Sequence, residues 1–145
     1  MEGAPRYAIV VGRFYTELAE RLVSSATGVF EGHAGAGAVD VFDVPGAFEL
    51  PLAAQMAAQT GRYAGVACLG AVIRGETTHY DYVCTESARG IQDVALRTGV
   101  PCSFGVVTVE SMEQAMARTG DGKRDQGAHA AQAVLALSRV RAELG

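Results

Sequence analysis

The stretch that most constrains the fold runs from Val66 to Cys84 and joins a buried strand to an amphipathic helix. Its first part, Val66 to Leu69, is a short apolar run, typical of a strand covered on both faces in a parallel sheet. Its last part continues into apolar residues at helical spacing from Tyr80 to Val94. Thr78 and Asp81 stand at capping-box spacing, which predicts that Thr78 caps this helix. The polar turn in between is therefore predicted to lie in a ligand crevice, where a helix N-terminus can hold an anion.

Strands and helices alternate along the rest of the chain. Right-handed crossovers between such elements produce a four-stranded parallel sheet with helices on both faces. The fold class predicted is therefore α/β, a three-layer, flavodoxin-like sandwich. The further elements predicted are strands Arg6–Val11, Ala38–Val44 and Pro101–Val107, a helix capped by Thr16 and reaching about Phe30, a helix from near Phe48 to about Thr60 with Pro51 in its first turn, a short helix capped by Ser111 and ending near Arg118, and a last helix through Ala130 and Leu144.

Composition limits the function classes. With 145 residues, of which 49% are hydrophobic, the chain suits a single domain spanning residues 1–145. A formal net charge of −4 argues against non-specific nucleic-acid binding. Neither a secretory leader nor an apolar run of membrane-spanning length is recognised, so we expect no membrane association. Three cysteines, an odd count, indicate buried reduced thiols in a cytoplasmic protein.

Three side chains at predicted strand-to-helix turns are candidates for binding or chemistry. Phe14 either plugs the core or stacks on a planar ligand. Glu49 either favours the dipole of its helix or binds the hydroxyls of a sugar or polyol. His79 is either a surface or capping residue or an acid–base group beside a bound anion.

Several kinds of site lack their sequence signature. No Gly-x-Gly-x-x-Gly follows the first strand, and there is neither a P-loop nor a Gly-x-Ser-x-Gly elbow. His33, His79 and His129 fall on separate predicted elements, so no metal site is predicted. A crevice with aromatic rings, an anion site, one His and one Glu suits proton transfer and carbonyl condensation on a phosphorylated substrate.

Four segments, in this order along the chain, resemble the 6,7-dimethyl-8-ribityllumazine synthase family of riboflavin biosynthesis. They are Gly12-Arg13-Phe14, Val44 to Pro51 (VPGAFELP), Leu69 to Val83 (LGAVIRGETTHYDYV) and Phe104 to Thr108 (FGVVT). The resemblance implies a transferase without cofactor or metal. It would condense 5-amino-6-(D-ribitylamino)uracil with 3,4-dihydroxy-2-butanone 4-phosphate.

The resemblance also implies a role for each matching residue. Phe14 would stack on the pyrimidine, Glu76 and Thr77 would hold the butanone phosphate, and His79 would move protons. A neighbouring subunit would complete the site in a homopentamer, from which a 60-subunit shell can be built. The remaining implied contacts are Ala47, Phe48 and Glu49 to the ribityl chain, Ala71, Val72 and Ile73 to the pyrimidine edge, and Phe104 and Arg118 from the neighbour.

Two departures from the family pattern modify these expectations. Gln126 stands where the family commonly has a lysine before its last helix, and Arg124 or Lys123 is predicted to supply the missing cation. The alternative is a non-catalytic relative that binds a lumazine or flavin or forms a shell. Only Met1 to Pro5 precede the first predicted strand, which favours a ring over a shell.

Overall fold

The sheet has four parallel strands. The computed structural model describes residues 4–120 and 122–145, so the segment Met1 to Pro5 lies largely outside the described residues. The strands are paired in the order β2-β1-β3-β4, which leaves β2 and β4 at the edges. The predicted α/β fold class with a four-stranded parallel sheet is confirmed. The strands are β1 (Tyr7–Gly12), β2 (Val39–Val44), β3 (Gly65–Ile73) and β4 (Cys102–Val109).

Helices cover both faces of the sheet. Those packed on one face are α1 and α5, and those on the other are α2 and α3. On the first face Phe30 stacks on Tyr7, with ring centroids 4.5 Å apart. The helices are α1 (Thr16–Ala34), α2 (Leu50–Gln59), α3 (His79–Thr98), α4 (Met112–Ala117) and α5 (Gln126–Leu144), and a 3-10 turn (Ala47–Glu49) precedes α2.

The central strand β3 is longer than predicted. Gly70 was expected to end it, but pairing with β4 continues through Gly70 to the pair Ile73 and Val109. Gly70 sits in the strand without a close approach, since a Cβ there would be in ordinary contact, 3.7 Å from Leu50. The added residues carry β3 beyond its pairing with β1, which ends at Val11 and Leu69.

Two of the predicted helix caps are wrong. Tyr15, rather than Thr16, is the N-cap residue of α1. Thr78 is the N-cap residue of α3, but its side chain makes no capping hydrogen bond. The backbone N–H of Asp81, which a Thr78 cap would use, instead bonds the Thr78 carbonyl at 3.0 Å, and the Asp81 carboxylate lies 3.5 Å from Arg74. Sequence spacing shows that a capping box is possible but not which competing partner takes the carboxylate.

The cap predicted for α4 is confirmed. Ser111 Oγ accepts a hydrogen bond from the backbone N–H of Gln114 at 3.2 Å. The Gln114 side chain reaches back to the backbone N–H of Glu110 at 2.7 Å. Pro51 lies in the first turn of α2, also as predicted, where its missing N–H costs no helical hydrogen bond.

Candidate active site

A cleft of about 480 Å³ lies where β1, β2 and β3 end. Its walls come from the turn after β1, the turn before α2, the end of β3 and the start of α3. Eight predicted site residues are brought together here: Phe14, Ala47, Phe48, Glu49, Ala71, Val72, Ile73 and His79.

Phe14 presents its ring to solvent and to the cleft. Its side chain is 76% exposed, so the alternative that it plugs the core is wrong. The ring meets Tyr15 edge-on, with centroids 4.9 Å apart. An exposed aromatic face supported by a second ring suits stacking on a planar ligand.

The turn from Gly46 to Glu49 forms the opposite wall. Ala47 is buried, whereas Phe48 is 60% exposed. Glu49 Oε1 accepts a hydrogen bond from the backbone N–H of Gly46 at 3.0 Å. Glu49 thus fastens the turn and places a negative charge at the start of α2, where the helix dipole favours it. This contact supports a structural role for Glu49 at the start of α2, although the residue still lines the cleft.

The end of β3 supplies backbone groups. Ala71, Val72 and Ile73 are half-buried and lie beyond the last pairing with β1. In a parallel sheet the backbone groups of successive residues point to alternate neighbouring strands. Those that point toward β1 therefore have no strand to pair with here, and can bond the edge of a flat heterocycle.

His79 is the first residue of α3 and lines the cleft. Its backbone N–H donates to Thr77 Oγ1 at 3.3 Å. Glu76 and Thr77 are exposed in the preceding turn, outside the lining itself. The structure therefore keeps these three predicted residues in one turn at a helix N-terminus.

Four lining residues were missed by sequence reasoning. Tyr82 and Val83 follow His79 at helical spacings of three and four, a signal that could have identified them. The Tyr82 side chain is 69% exposed. The other two are Tyr15 and Gly46.

Phe104 and Arg118 do not line the cleft of their own chain. Phe104 pairs with Cys68 in the sheet, three residues before Ala71, so it lies about 10 Å back along the strand direction. It is 40% exposed on edge strand β4. Arg118 follows α4, and its Nη1 donates to the Gln114 carbonyl at 3.1 Å.

The residues predicted to compensate for Gln126 are also outside the cleft. Lys123 and Arg124 are exposed in the loop before α5. Gln126 begins α5, and its backbone N–H donates to the Arg118 carbonyl at 2.9 Å. Gln126 and Arg118 are thus adjacent. A lysine at position 126 would therefore add a second positive charge close to Arg118, not close to the Glu49 carboxylate.

Arg74 turns away from the cleft despite its nearness to His79 in sequence. Its guanidinium bonds Glu110 at 3.0 Å and Asp81 at 3.5 Å. It also lies over the Tyr80 ring, 4.3 Å from the centroid. The hydrogen bond to Glu110 is the main cause that raises the pKa of Arg74.

The described residues contain neither a helix that could span a membrane nor a cluster that could hold a metal ion. No helix among residues 4–120 and 122–145 is long and apolar enough to cross a membrane. Over the same ranges, no group of three or more His, Cys, Asp or Glu residues is arranged to hold a metal ion.

Comparison with known families places this site in context. A family model described as 6,7-dimethyl-8-ribityllumazine synthase matches residues 4–142, nearly the full length. The matched region contains every segment that forms the cleft. The chain therefore belongs to the 6,7-dimethyl-8-ribityllumazine synthase family, whose members are transferases of riboflavin biosynthesis.

Proposed function

We propose that the protein condenses 5-amino-6-(D-ribitylamino)uracil with 3,4-dihydroxy-2-butanone 4-phosphate, releasing 6,7-dimethyl-8-ribityllumazine, phosphate and water. The observation that carries the proposal is the cleft, in which an exposed ring, unpaired strand-end backbone groups and a histidine at a helix N-terminus face one another. No cofactor or metal is invoked. The reaction needs a planar amine, a phosphorylated carbonyl compound and a group that moves protons between them.

The cleft walls suit the two ends of the pyrimidine substrate. In the proposal Phe14 stacks on the heterocycle, while the backbone of Ala71, Val72 and Ile73 bonds its edge. The turn of Ala47, Phe48 and Glu49 holds the ribityl chain, and the Glu49 carboxylate accepts from its hydroxyls.

The turn before α3 suits the phosphate of the second substrate. The N-terminal N–H groups of this 20-residue helix carry the positive end of its dipole. Thr78 contributes no side-chain cap. The N–H groups of His79 and Asp81 bond Thr77 Oγ1 and the Thr78 carbonyl, so a bound phosphate would replace these local contacts. We place the butanone phosphate beside Glu76 and Thr77, with His79 close enough to transfer protons during imine formation and phosphate loss.

The proposal includes a homopentamer in which the site is shared. Phe104 and Arg118 lie outside the cleft of their own chain, yet an exposed ring on an edge strand and a guanidinium after α4 are suited to a neighbour's ligand. Arg118 then adds the cation that the phosphate needs. The single domain spanning residues 1–145 is the repeating unit of a ring, and twelve such rings would make a 60-subunit shell. We place the enzyme in the cytoplasm, in agreement with its three free thiols.

Incubation of the purified protein with both substrates tests the proposal directly. We expect the lumazine chromophore to appear without added metal. His79→Ala should lower kcat by ~10²-fold, the lower end for one acid–base group, while pyrimidine binding survives. Unchanged turnover in His79→Ala would remove this residue from the mechanism, and no product with the parent would refute the proposed reaction.

A second candidate function is a non-catalytic relative that binds a lumazine or flavin. It is favoured by one observation, the neutral Gln126 beside Arg118 where the family commonly has a lysine. Losing one charge-assisted hydrogen bond costs roughly 1.5–3 kcal/mol unless another cation compensates. Arg124 and Lys123 are the candidate replacements. If Arg124→Ala and Lys123→Ala leave KM for the butanone phosphate unchanged, and Gln126→Lys raises activity tenfold or more, compensation is wrong and the native protein is an impaired synthase.

A further inference from the structure

Arg13 and Arg74 stand on two sides of the cleft in the same structural setting. Arg13 immediately follows β1, and its backbone N–H donates to the carbonyl of Val44, the last residue of edge strand β2, at 2.9 Å. Arg74 immediately follows β3, and its backbone N–H donates to the carbonyl of Val109, the last residue of edge strand β4, at 2.9 Å. Each arginine therefore ties an inner strand to an edge strand where both end.

The side chains repeat this correspondence atom by atom. Arg13 Nε donates to Asp43 at 2.8 Å and its Nη1 to Glu20 at 2.6 Å. Arg74 Nε donates to Glu110, at the end of β4, at 3.0 Å. We call each arginine with its two carboxylates a strand-end clamp.

The second carboxylate of each clamp lies on the helix that follows the arginine. Arg74 Nη1 approaches Asp81 on α3 at 3.5 Å, as Arg13 Nη1 approaches Glu20 on α1. In both cases the carboxylate is seven residues after the arginine. The guanidinium thus bridges the edge strand and the helix, and the cleft-forming turn lies between its two anchor points.

We propose that Arg13 and Arg74 are positioning residues, each holding the catalytic turn that follows it. The Arg13 clamp fixes the turn that presents Phe14, and the Arg74 clamp fixes the turn that runs to His79. This inference rests on the proposed function, because it assigns the consequence of each clamp to one step of that reaction. Its geometric part stands without it.

The chemistry of arginine explains why two carboxylates can be held at once. A guanidinium is planar and offers five donors in a fixed fork, whereas a lysine ammonium is a flexible point charge. The carboxylates also neutralise the positive charge of each guanidinium, so neither arginine needs a ligand anion as a partner. Exposed ion pairs contribute little to global stability, and the four carboxylates of the clamps are between 57% and 67% exposed. The expected loss on substitution is therefore local order rather than folding.

Hydrogen exchange on the whole protein tests the geometric part. Arg13→Lys should speed exchange of the hydrogen-bonded amides of residues 13 and 19 by roughly tenfold and leave those of residues 74, 81 and 82 unchanged, and Arg74→Lys should do the reverse. Arg97→Lys is the matched control, because Arg97 is 74% exposed and, among the described residues, its ion pair is with Asp93 of the same helix at 3.0 Å. Should either arginine variant fold poorly, Glu20→Gln and Asp81→Asn open the same clamps with a smaller change.

Kinetics test the assignment to the reaction. Arg13→Lys should raise KM for the pyrimidine substrate with kcat within about twofold, since stacking is weakened. Arg74→Lys should lower kcat by roughly tenfold with the pyrimidine KM retained, since His79 is displaced. Exchange that rises equally in both turns, or in neither, would overturn the positioning role. A parent that forms no lumazine would refute the proposed function, while the exchange result would still decide whether the clamps hold their turns.

Discussion

Gly12→Ala is expected to displace one wall of the cleft. Gly12 is the last residue of β1, and a Cβ at this position would lie 2.9 Å from the Gly46 carbonyl carbon and 3.2 Å from the Ala47 nitrogen. Both atoms belong to the backbone, so no side-chain rotation can relieve the overlap. Ordinary contact begins near 3.4 Å, and the turn must therefore retreat by about 0.5 Å.

The cost follows from this displacement. Overpacking of this kind typically costs ~1–3 kcal/mol, and each kcal/mol lowers Tm by roughly 2–4 °C in a domain of this size. The moved turn also carries Phe48 and Glu49. A misplacement of about 1 Å can reduce a rate by ~10²-fold, so half that distance should reduce kcat/KM by roughly tenfold.

The matched control is a glycine with free space around it. Gly28 lies on the exposed side of α1, and a Cβ there meets nothing within 4 Å. Gly28→Ala should stabilise the protein by ~0.5–1 kcal/mol, because glycine is a poor helix former. Thermal unfolding at matched protein concentration and lumazine-formation kinetics measure both variants. Parental Tm and kcat/KM in Gly12→Ala would refute the close-approach argument.

Three further predictions concern pH, thiol reactivity and capping. Hydrogen bonds from Tyr63 and a neighbouring guanidinium lower the pKa of Asp40. The ionised Asp40 therefore stabilises the folded protein above its usual pKa near 3.8, and this contribution is lost as pH falls through the lower folded value. The Tm difference between the parent and Tyr63→Phe should narrow in acid. Burial raises the pKa of Cys102 to about 11, so maleimide at pH 8 should label the half-buried Cys84 first, and equal labelling rates would contradict this. Asp125 caps α5 by accepting from a backbone N–H at 3.3 Å, and Asp125→Ala should cost ~1 kcal/mol, seen as a lowered Tm.

The order of strands and helices could be predicted because local patterns determine it. A buried apolar run, a Gly or Pro at its end and a helical stripe after it each depend on neighbours in sequence. The same logic located the cleft, since parallel strands end at one edge of the sheet and their turns meet there. Phe14, Glu49 and His79 were found in this way, each at a strand-to-helix turn.

Partner choice was less predictable. The capping box predicted at Thr78 does not form, because the Asp81 N–H bonds the Thr78 carbonyl and the Asp81 carboxylate faces Arg74, which lies outside the motif. The apolar run Val66 to Leu69 predicts a strand that ends at Leu69, because glycine weakens a strand interior, whereas pairing with β4 carries β3 onward to Ile73. In both cases contacts outside the local window decided the outcome.

The contacts of the clamps could not be predicted from local sequence patterns, because they depend on strand register. Arg13 meets Asp43 across 30 positions and Arg74 meets Glu110 across 36. No period or short motif links such residues, and they meet only because parallel pairing brings the ends of neighbouring strands to the same level. The helical partners are Glu20 and Asp81, each seven residues after its arginine. A strand-to-helix turn separates each pair, and the length of that turn decides whether the carboxylate can reach the guanidinium. The cleft can therefore be located from the alternation of elements alone, whereas the contacts that hold its turns in place follow from strand register.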